Sequence, residues 1–269
     1  MRHLFSLLIA ILLFGPGSLL GQEVVGVGTG LWTWTDKAPH HDAIVKVSVD
    51  GKLGTGVVVA KNASAKSGSG YLGYVVTAYH VVQKDEGKNK IRIVYRNGKI
   101  ARKSRIVEHD EELDVAVLWT WIPKDIPAAK VATASVGRDE MLEFSGLGGG
   151  SKLDCCLRHF ESRSAEPTNE QQIFANVSLL PGDSGGPIFN DRQELVGVIS
   201  GGWFWYYNGV TDESGAPVKS TWPARAANAS VIHGLVAKAT AKDDEKLDRE
   251  TESATLASDN TPGADKSVR

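Results

Sequence analysis

Gly182-Asp183-Ser184-Gly185-Gly186-Pro187 sets one hydroxyl among glycines. Glycine enters left-handed conformations without a Cβ penalty, so this stretch can fold into a tight turn whose amide N–H groups converge beside Ser184. Such a turn would serve acyl transfer: a hydroxyl to attack, and the N–H groups of Gly182 and Ser184 to hold a developing oxyanion. A serine hydroxyl is a weak nucleophile, however. It needs a base within hydrogen-bond reach and a third group to orient that base. His80 is the candidate base, because Val75-Val76-Thr77-Ala78-Tyr79-His80-Val81-Val82 runs an apolar strand directly into an imidazole. Asp114, in Leu113-Asp114-Val115-Ala116-Val117-Leu118, is the candidate orienting acid. A carboxylate in so apolar a run is costly to bury without a partner, and an imidazole would be one.

The elements that must position these groups read as strands. Ala43–Val49, Gly56–Ala60, Tyr71–Val76, Lys90–Tyr95 and Asp114–Leu118 are short and rich in β-branched residues, with turn pairs such as Asp50-Gly51 and Asn97-Gly98 between them. A second set follows the connection from Ile122 to Pro127: Met141–Phe144, Leu157–Ser162, Gln172–Val177, Pro187–Asn190 and Leu195–Ser200. This spacing predicts two successive all-β units. One helix is expected, Ala229–Ala239, with Asn228 as its cap and Val231, Ile232, Leu235 and Val236 on its apolar face. The 269 residues, 42% of them hydrophobic and 29 of them glycine, suit a turn-rich β protein with a sizeable core.

The three motifs together resemble a trypsin-like (chymotrypsin-fold) serine peptidase, whose sequence order His80, Asp114, Ser184 they share. The likeness runs from about Ala43 to Ser200 and includes Gly54-Thr55-Gly56. The short gaps between the motifs are closer to bacterial peptidases of the high-temperature-requirement type than to digestive enzymes, although a PDZ domain is not expected here. The resemblance implies an all-β fold of two six-stranded antiparallel Greek-key β-barrels with a short C-terminal helix. Residues 43–125 would form the first barrel, carrying the histidine and aspartate, and 126–227 the second, carrying the serine. Residues 228–240 would be the helix. It further implies a serine endopeptidase acting on polypeptide substrates through an acyl-enzyme, with Ser178, Ser200, Gly201 and Gly202 lining the substrate site. Ser178 stands where an acid would favour cleavage after Lys or Arg, so an apolar residue before the scissile bond is expected instead. Gly201 and Gly202 leave that entrance open, and the backbone there could pair with an extended peptide.

Other readings of the same residues remain. A catalytically silent relative that binds peptides or scaffolds a partner would keep the fold. Asp183 could pair with a newly cut N-terminus at Val24-Val25-Gly26-Val27, or could cap a local turn. The Gly-x-Ser-x-Gly pattern also fits the nucleophile elbow of another hydrolase fold. That elbow requires a helix after the serine, and Ile188-Phe189 reads as strand. Trp203-Phe204-Trp205-Tyr206-Tyr207 reads as core packing or, failing that, a substrate platform.

Residues 1–21 read as a secretory signal, with an apolar run from Leu4 to Phe14 behind Met1-Arg2-His3 that is too short for a comfortable membrane span. The mature protein is therefore expected to be exported, periplasmic or extracellular, without stable membrane insertion. Residues 22–42 form a lead segment, and 241–269, with eight acids and five bases, a solvated charged tail. Thirty Lys and Arg against 32 Asp and Glu give no basic excess for nucleic acid. Cys155 and Cys156 are adjacent and cannot staple distant segments. With His159 they fall short of a four-ligand zinc set, so no metal or cofactor is expected.

Overall fold

The computed structural model describes residues 23–24, 28–29, 38–85, 87–88, 90–148, 154–155, 157–165, 168–175, 177, 179–201, 205–211, 217–221 and 224–242. Six strands close a first barrel: β1 (Ile44–Val49), β2 (Lys52–Ser67), β3 (Gly70–Ala78), β4 (Ile91–Val94), β5 (Ile100–Asp110) and β6 (Val115–Pro123), in the order β1-β2-β3-β6-β5-β4. Alternation of β-branched residues drives the closure, since every second side chain of a strand points inward. Val45, Val47, Val57, Val75, Ile93 and Val117 are all fully buried in one cluster. The β1–β2 hairpin turns on Asp50 and Gly51 with φ of 46° and 83°, a two-residue loop in which both residues are left-handed, as the Asp-Gly pair predicts.

The second unit uses β7 (Met141–Gly146), β8 (Arg158–Ala165), β9 (Gln172–Ala175), β10 (Pro187–Phe189), β11 (Leu195–Gly201) and β12 (Ala224–Asn228). Its antiparallel pairings β7–β8, β8–β9, β9–β12, β12–β11, β11–β10 and β10–β7 also close a ring. Ranked by position in the chain, both rings run first, second, third, sixth, fifth, fourth. That shared order is the Greek key expected for each unit. Leu142, Phe144, Ile173, Ile188 and Ile199 fill the second interior.

Differences from the sequence reading have physical causes. β5 escapes it because Arg102, Arg105, Glu108, His109 and Asp110 break any apolar alternation; the strand forms because β4 and β6 hydrogen-bond both of its edges. β12 (Ala224–Asn228) and the hairpin of Trp205–Thr211 with Pro217–Thr221 were likewise not expected as strands. Gly28–Thr29, within the expected lead segment, pairs with Asp154–Cys155. Helix α1 is the single turn Tyr79–Val82. The C-terminal helix α2 covers 229–242 among the described residues, past the Ala239 at which its apolar pattern ends. Asn228, fully buried, does more than cap it: its Oδ1 accepts from Ala229 and Val136 N–H, and its Nδ2 donates to the Val136 and Asn169 carbonyls. α2 follows β12 but packs back on the first barrel, where Tyr74 donates to the Ala239 carbonyl at 3.4 Å. The expected signal, residues 1–21, and residues 243–269 lie outside the described residues. Among the described residues no helix is long and apolar enough to cross a membrane.

Candidate active site

β3 ends at Ala78 and the chain turns into α1, which carries His80 away from the barrel rim. Asp114 lies just ahead of β6. Two bonds join the pair: the His80 backbone N–H donates to Asp114 Oδ1 and His80 Nδ1 to Oδ2, each at 2.7 Å. The Asp114 carbonyl in turn accepts from Tyr79 N–H at 3.1 Å. Asp114 is only 12% exposed in its side chain, against 35% for His80. It is therefore not a solvated continuation of the acidic run at residues 110–112. Burial opposes its charge. The hydrogen bonds from the His80 ring, from Ser200 and from the His80 backbone outweigh that penalty and hold its carboxyl below the ordinary range.

The third donor to Asp114 comes from the other barrel. Ser200, on β11, donates from Oγ to Asp114 Oδ2 at 2.6 Å, and its own Oγ accepts from Arg225 Nη2 at 3.3 Å. The sequence reading assigns the backbone of Ser200 to the substrate wall; its side chain serves the Asp114 carboxylate. Gly201 closes β11, and a Cβ there would meet nothing within 4 Å. Ser178 and Gly202 lie outside the described residues.

Ser184 sits on a turn that docks onto the first barrel. Its carbonyl accepts from Thr55 N–H at 2.8 Å. Gly185, at φ +85°, approaches so closely that a Cβ would lie 2.0 Å from the Thr55 carbonyl and 2.2 Å from Thr77 Oγ1. Only glycine fits, on grounds of both conformation and space. Thr77 and Ala78 immediately precede α1, so the serine turn rests on the strand that delivers His80. Within the turn the N–H groups of Leu180, Asp183, Gly185 and Gly186 donate to protein acceptors. Those of Gly182 and Ser184 donate to none among the described residues, and Gly182 holds φ +105°.

Thr55 carries no local signal of a role beyond its place in Gly54-Thr55-Gly56. Fully buried on β2, it donates from Oγ1 to the Gly182 carbonyl at 2.7 Å and accepts there from Leu147 N–H at 2.9 Å. Asp183 is also buried. Its carboxylate accepts from Gly148 N–H at 2.7 Å and Leu180 N–H at 2.8 Å, which fits the turn-capping reading. Val24 meanwhile pairs with Arg158 at the edge of β8. Lys52 Nζ donates to the His80 carbonyl and fixes α1 from the β2 side.

The family described as trypsin-like peptidase domain matches residues 54–198. Over 141 residues the chain is 32% identical to a protein of Pseudomonas savastanoi pv. phaseolicola described as a probable periplasmic serine endoprotease DegP-like, covering 49% of this chain and 28% of that protein. Over 149 residues it is 28% identical to the protease Do-like 1, chloroplastic, of Arabidopsis thaliana, with 49% and 32% covered. The chain thus spans less than a third of the length of either relative. The crystal structure of the serine endoprotease from Yersinia pestis superposes with a TM-score of 0.54 at 18% identity, covering 76% of this chain and 67% of that one. At that identity the likeness establishes the fold.

Proposed function

Because the chain belongs to the trypsin-like peptidase domain family, we propose that it is an exported serine endopeptidase cleaving polypeptides through Ser184, His80 and Asp114. The observation that carries this reading is the unequal use of the His80 ring. Nδ1 is committed to Asp114, while Nε2 has no partner among the described residues. A bond at Nδ1 fixes the tautomer in which Nε2 is the basic atom.

Ser184 Oγ attacks the carbonyl carbon of the scissile peptide as His80 Nε2 takes its proton. The oxyanion is received by the N–H groups of Gly182 and Ser184, the two donors that the turn leaves unused, each contributing about 10²–10³ in rate. Collapse breaks the C–N bond, and His80 returns the proton to the departing amine. Water then repeats the sequence on the ester: His80 takes its proton, the acyl–oxygen bond breaks, and Ser184 regains its hydrogen. Asp114 keeps the imidazole oriented and balances its transient charge. Ser184 Oγ makes no hydrogen bond to His80 in this structure. That bond forms as substrate settles, in keeping with the long catalytic contacts of unliganded sites. Substrate would lie extended along Gly201 as an added strand, with Ser178, Ser200 and Gly202 completing the wall. Export accords with the leader-like residues 1–21 and with the periplasmic description of the Pseudomonas relative.

Treatment with an active-site sulfonyl fluoride, read by mass spectrometry, tests the triad. An adduct at Ser184 in the wild type and none in His80→Ala supports it. A folded wild-type protein that takes up no adduct refutes it and leaves the silent, peptide-binding relative.

A further inference from the structure

Outside the Ser184, His80 and Asp114 set, three good metal ligands meet where the chain enters the first barrel beside the second. His40 and His41 are neighbours in the 3-10 turn Pro39–Ala43, which runs into β1, and Glu143 lies on β7. His40 Nε2 is 3.2 Å from Glu143 Oε2 and 3.4 Å from Oε1, and His41 Nε2 contacts Oε1. One ligand atom from each residue lies within 4.8 Å of the others. Bonds of about 2.0–2.2 Å to a tetrahedral ion place neighbouring ligand atoms about 3.3 Å apart. The spacing from His40 to Glu143 already matches one edge of that polyhedron.

The surroundings favour ligation. The His40 and His41 side chains are 7% and 3% exposed, whereas Glu143 at 22% leaves an approach from solvent. Ser145 Oγ donates to Glu143 Oε1 at 3.1 Å and sets the carboxylate. Phe189 meets the His40 ring edge-on with centroids 4.5 Å apart. His40 Nδ1 is buried without a hydrogen-bond partner among the described residues, so every polar contact orienting that imidazole lies at Nε2. Peptide hydrolysis uses none of these groups.

We propose that His40 Nε2, His41 Nε2 and the Glu143 carboxylate bind a zinc-type divalent cation, tying the turn ahead of the first barrel to the first strand of the second. Two imidazoles and one carboxylate are a donor set suited to zinc, with a fourth position left for water. Binding has a cost at His41. Its Nδ1 accepts from Ala38 N–H at 3.3 Å, so the proton resides on Nε2. The cation moves that proton to Nδ1 and gives up the Ala38 contact.

The test uses the full chain, stripped of metal with a chelator and titrated with Co²⁺, whose visible absorption reports tetrahedral coordination, then with Zn²⁺ in competition. One equivalent binds to the wild type. His40→Gln, His41→Gln and Glu143→Gln each weaken binding by about tenfold or more, since even loss of an outer-shell partner costs about 10–100-fold. His109→Gln and His233→Gln leave it unchanged. Zn²⁺ raises the thermal midpoint of the wild type but not of the three ligand variants. Absence of a stoichiometric site, or ligand variants that bind as the wild type does, overturns the proposal. Should His41→Gln fail to fold, His40→Gln and Glu143→Gln decide. Sulfonyl fluoride labelling of Ser184 in the same variants keeps this outcome separate from that of the peptidase reading.

Discussion

Replacing Thr55 with valine removes one hydroxyl and keeps the β-branched shape. That hydroxyl joins three segments: it donates to the Gly182 carbonyl at 2.7 Å and accepts at 2.9 Å from the N–H of Leu147, the residue that follows β7 on the other barrel. Thr55 is fully buried, so valine leaves Leu147 N–H unpaired at about 1–3 kcal/mol. Gly182 is half-buried, so its carbonyl can recover water, which puts its loss at the low end of that range. Together the exchange should destabilise the fold by about 2–4 kcal/mol. Its catalytic effect comes through orientation. The Gly182 carbonyl and Asp183 N–H belong to one peptide, held by Thr55 on one side and the Leu180 carbonyl on the other. Once the first anchor goes, the turn can rotate, and losing one aligned oxyanion donor costs about 10²–10³ in rate. Urea denaturation and the rate of Ser184 acylation measure the two effects separately. Thr55→Ser, which keeps the hydroxyl, should acylate near the wild-type rate. A Thr55→Val protein that unfolds within about 0.5 kcal/mol of the wild type, a shift typical of surface changes, and acylates as fast would refute the anchoring role.

Two further outcomes follow from Asp114. Asp114→Asn should lower kcat by about 10⁴-fold through the wrong imidazole tautomer while KM changes little, as steady-state kinetics on a peptide substrate would report; a loss below tenfold removes Asp114 from the triad. Its carboxyl is held below the ordinary range in the folded protein, so its contribution to stability is fully present above the unfolded value of about 3.9 and is lost as the pH falls through the folded one. Wild type should therefore lose stability more steeply than Asp114→Asn below about pH 4.5 in denaturant titrations; parallel curves contradict the linkage.

Much of this fold is legible in the sequence, and the parts that are not share a cause. β1, β3 and β6 announce themselves because their side chains are apolar on the barrel face, and Asp50-Gly51 fixes the first hairpin. β5 is set by hydrogen bonds from two neighbours, which leave no trace in its own residue types. The site divides the same way. Ser184, His80 and Asp114 carry local signals, namely a glycine-rich turn, a strand running into histidine, and an acid in an apolar run. Thr55 and the Ser200 side chain act across the interface between barrels, at positions where threonine and serine look ordinary. His40 and His41 meet Glu143 about a hundred residues away along the chain, a juxtaposition made where the turn ahead of the first barrel meets the first strand of the second.

The two rings also explain why the site is conditional on their docking. The first barrel by itself supplies His80, Asp114 and both bonds between them. Asp114 nevertheless sits at φ +56°, a left-handed conformation that costs a non-glycine residue about 1–2 kcal/mol, though aspartate bears it better than most. Its backbone is held there by the Tyr79 N–H and its carboxylate by His80. The remaining donor, Ser200, arrives only when β11 of the second barrel is in place, and the same contact surface presses Gly185 against Thr55 and Thr77. The third donor to Asp114 and the seating of the Ser184 turn are therefore gained or lost together. A separation of even 1–2 Å would stretch the 2.6 Å Ser200–Asp114 bond beyond useful length and lift the Ser184 turn from Thr55. Helix α2, starting from β12 and packing on Tyr74 of the first barrel, opposes that separation.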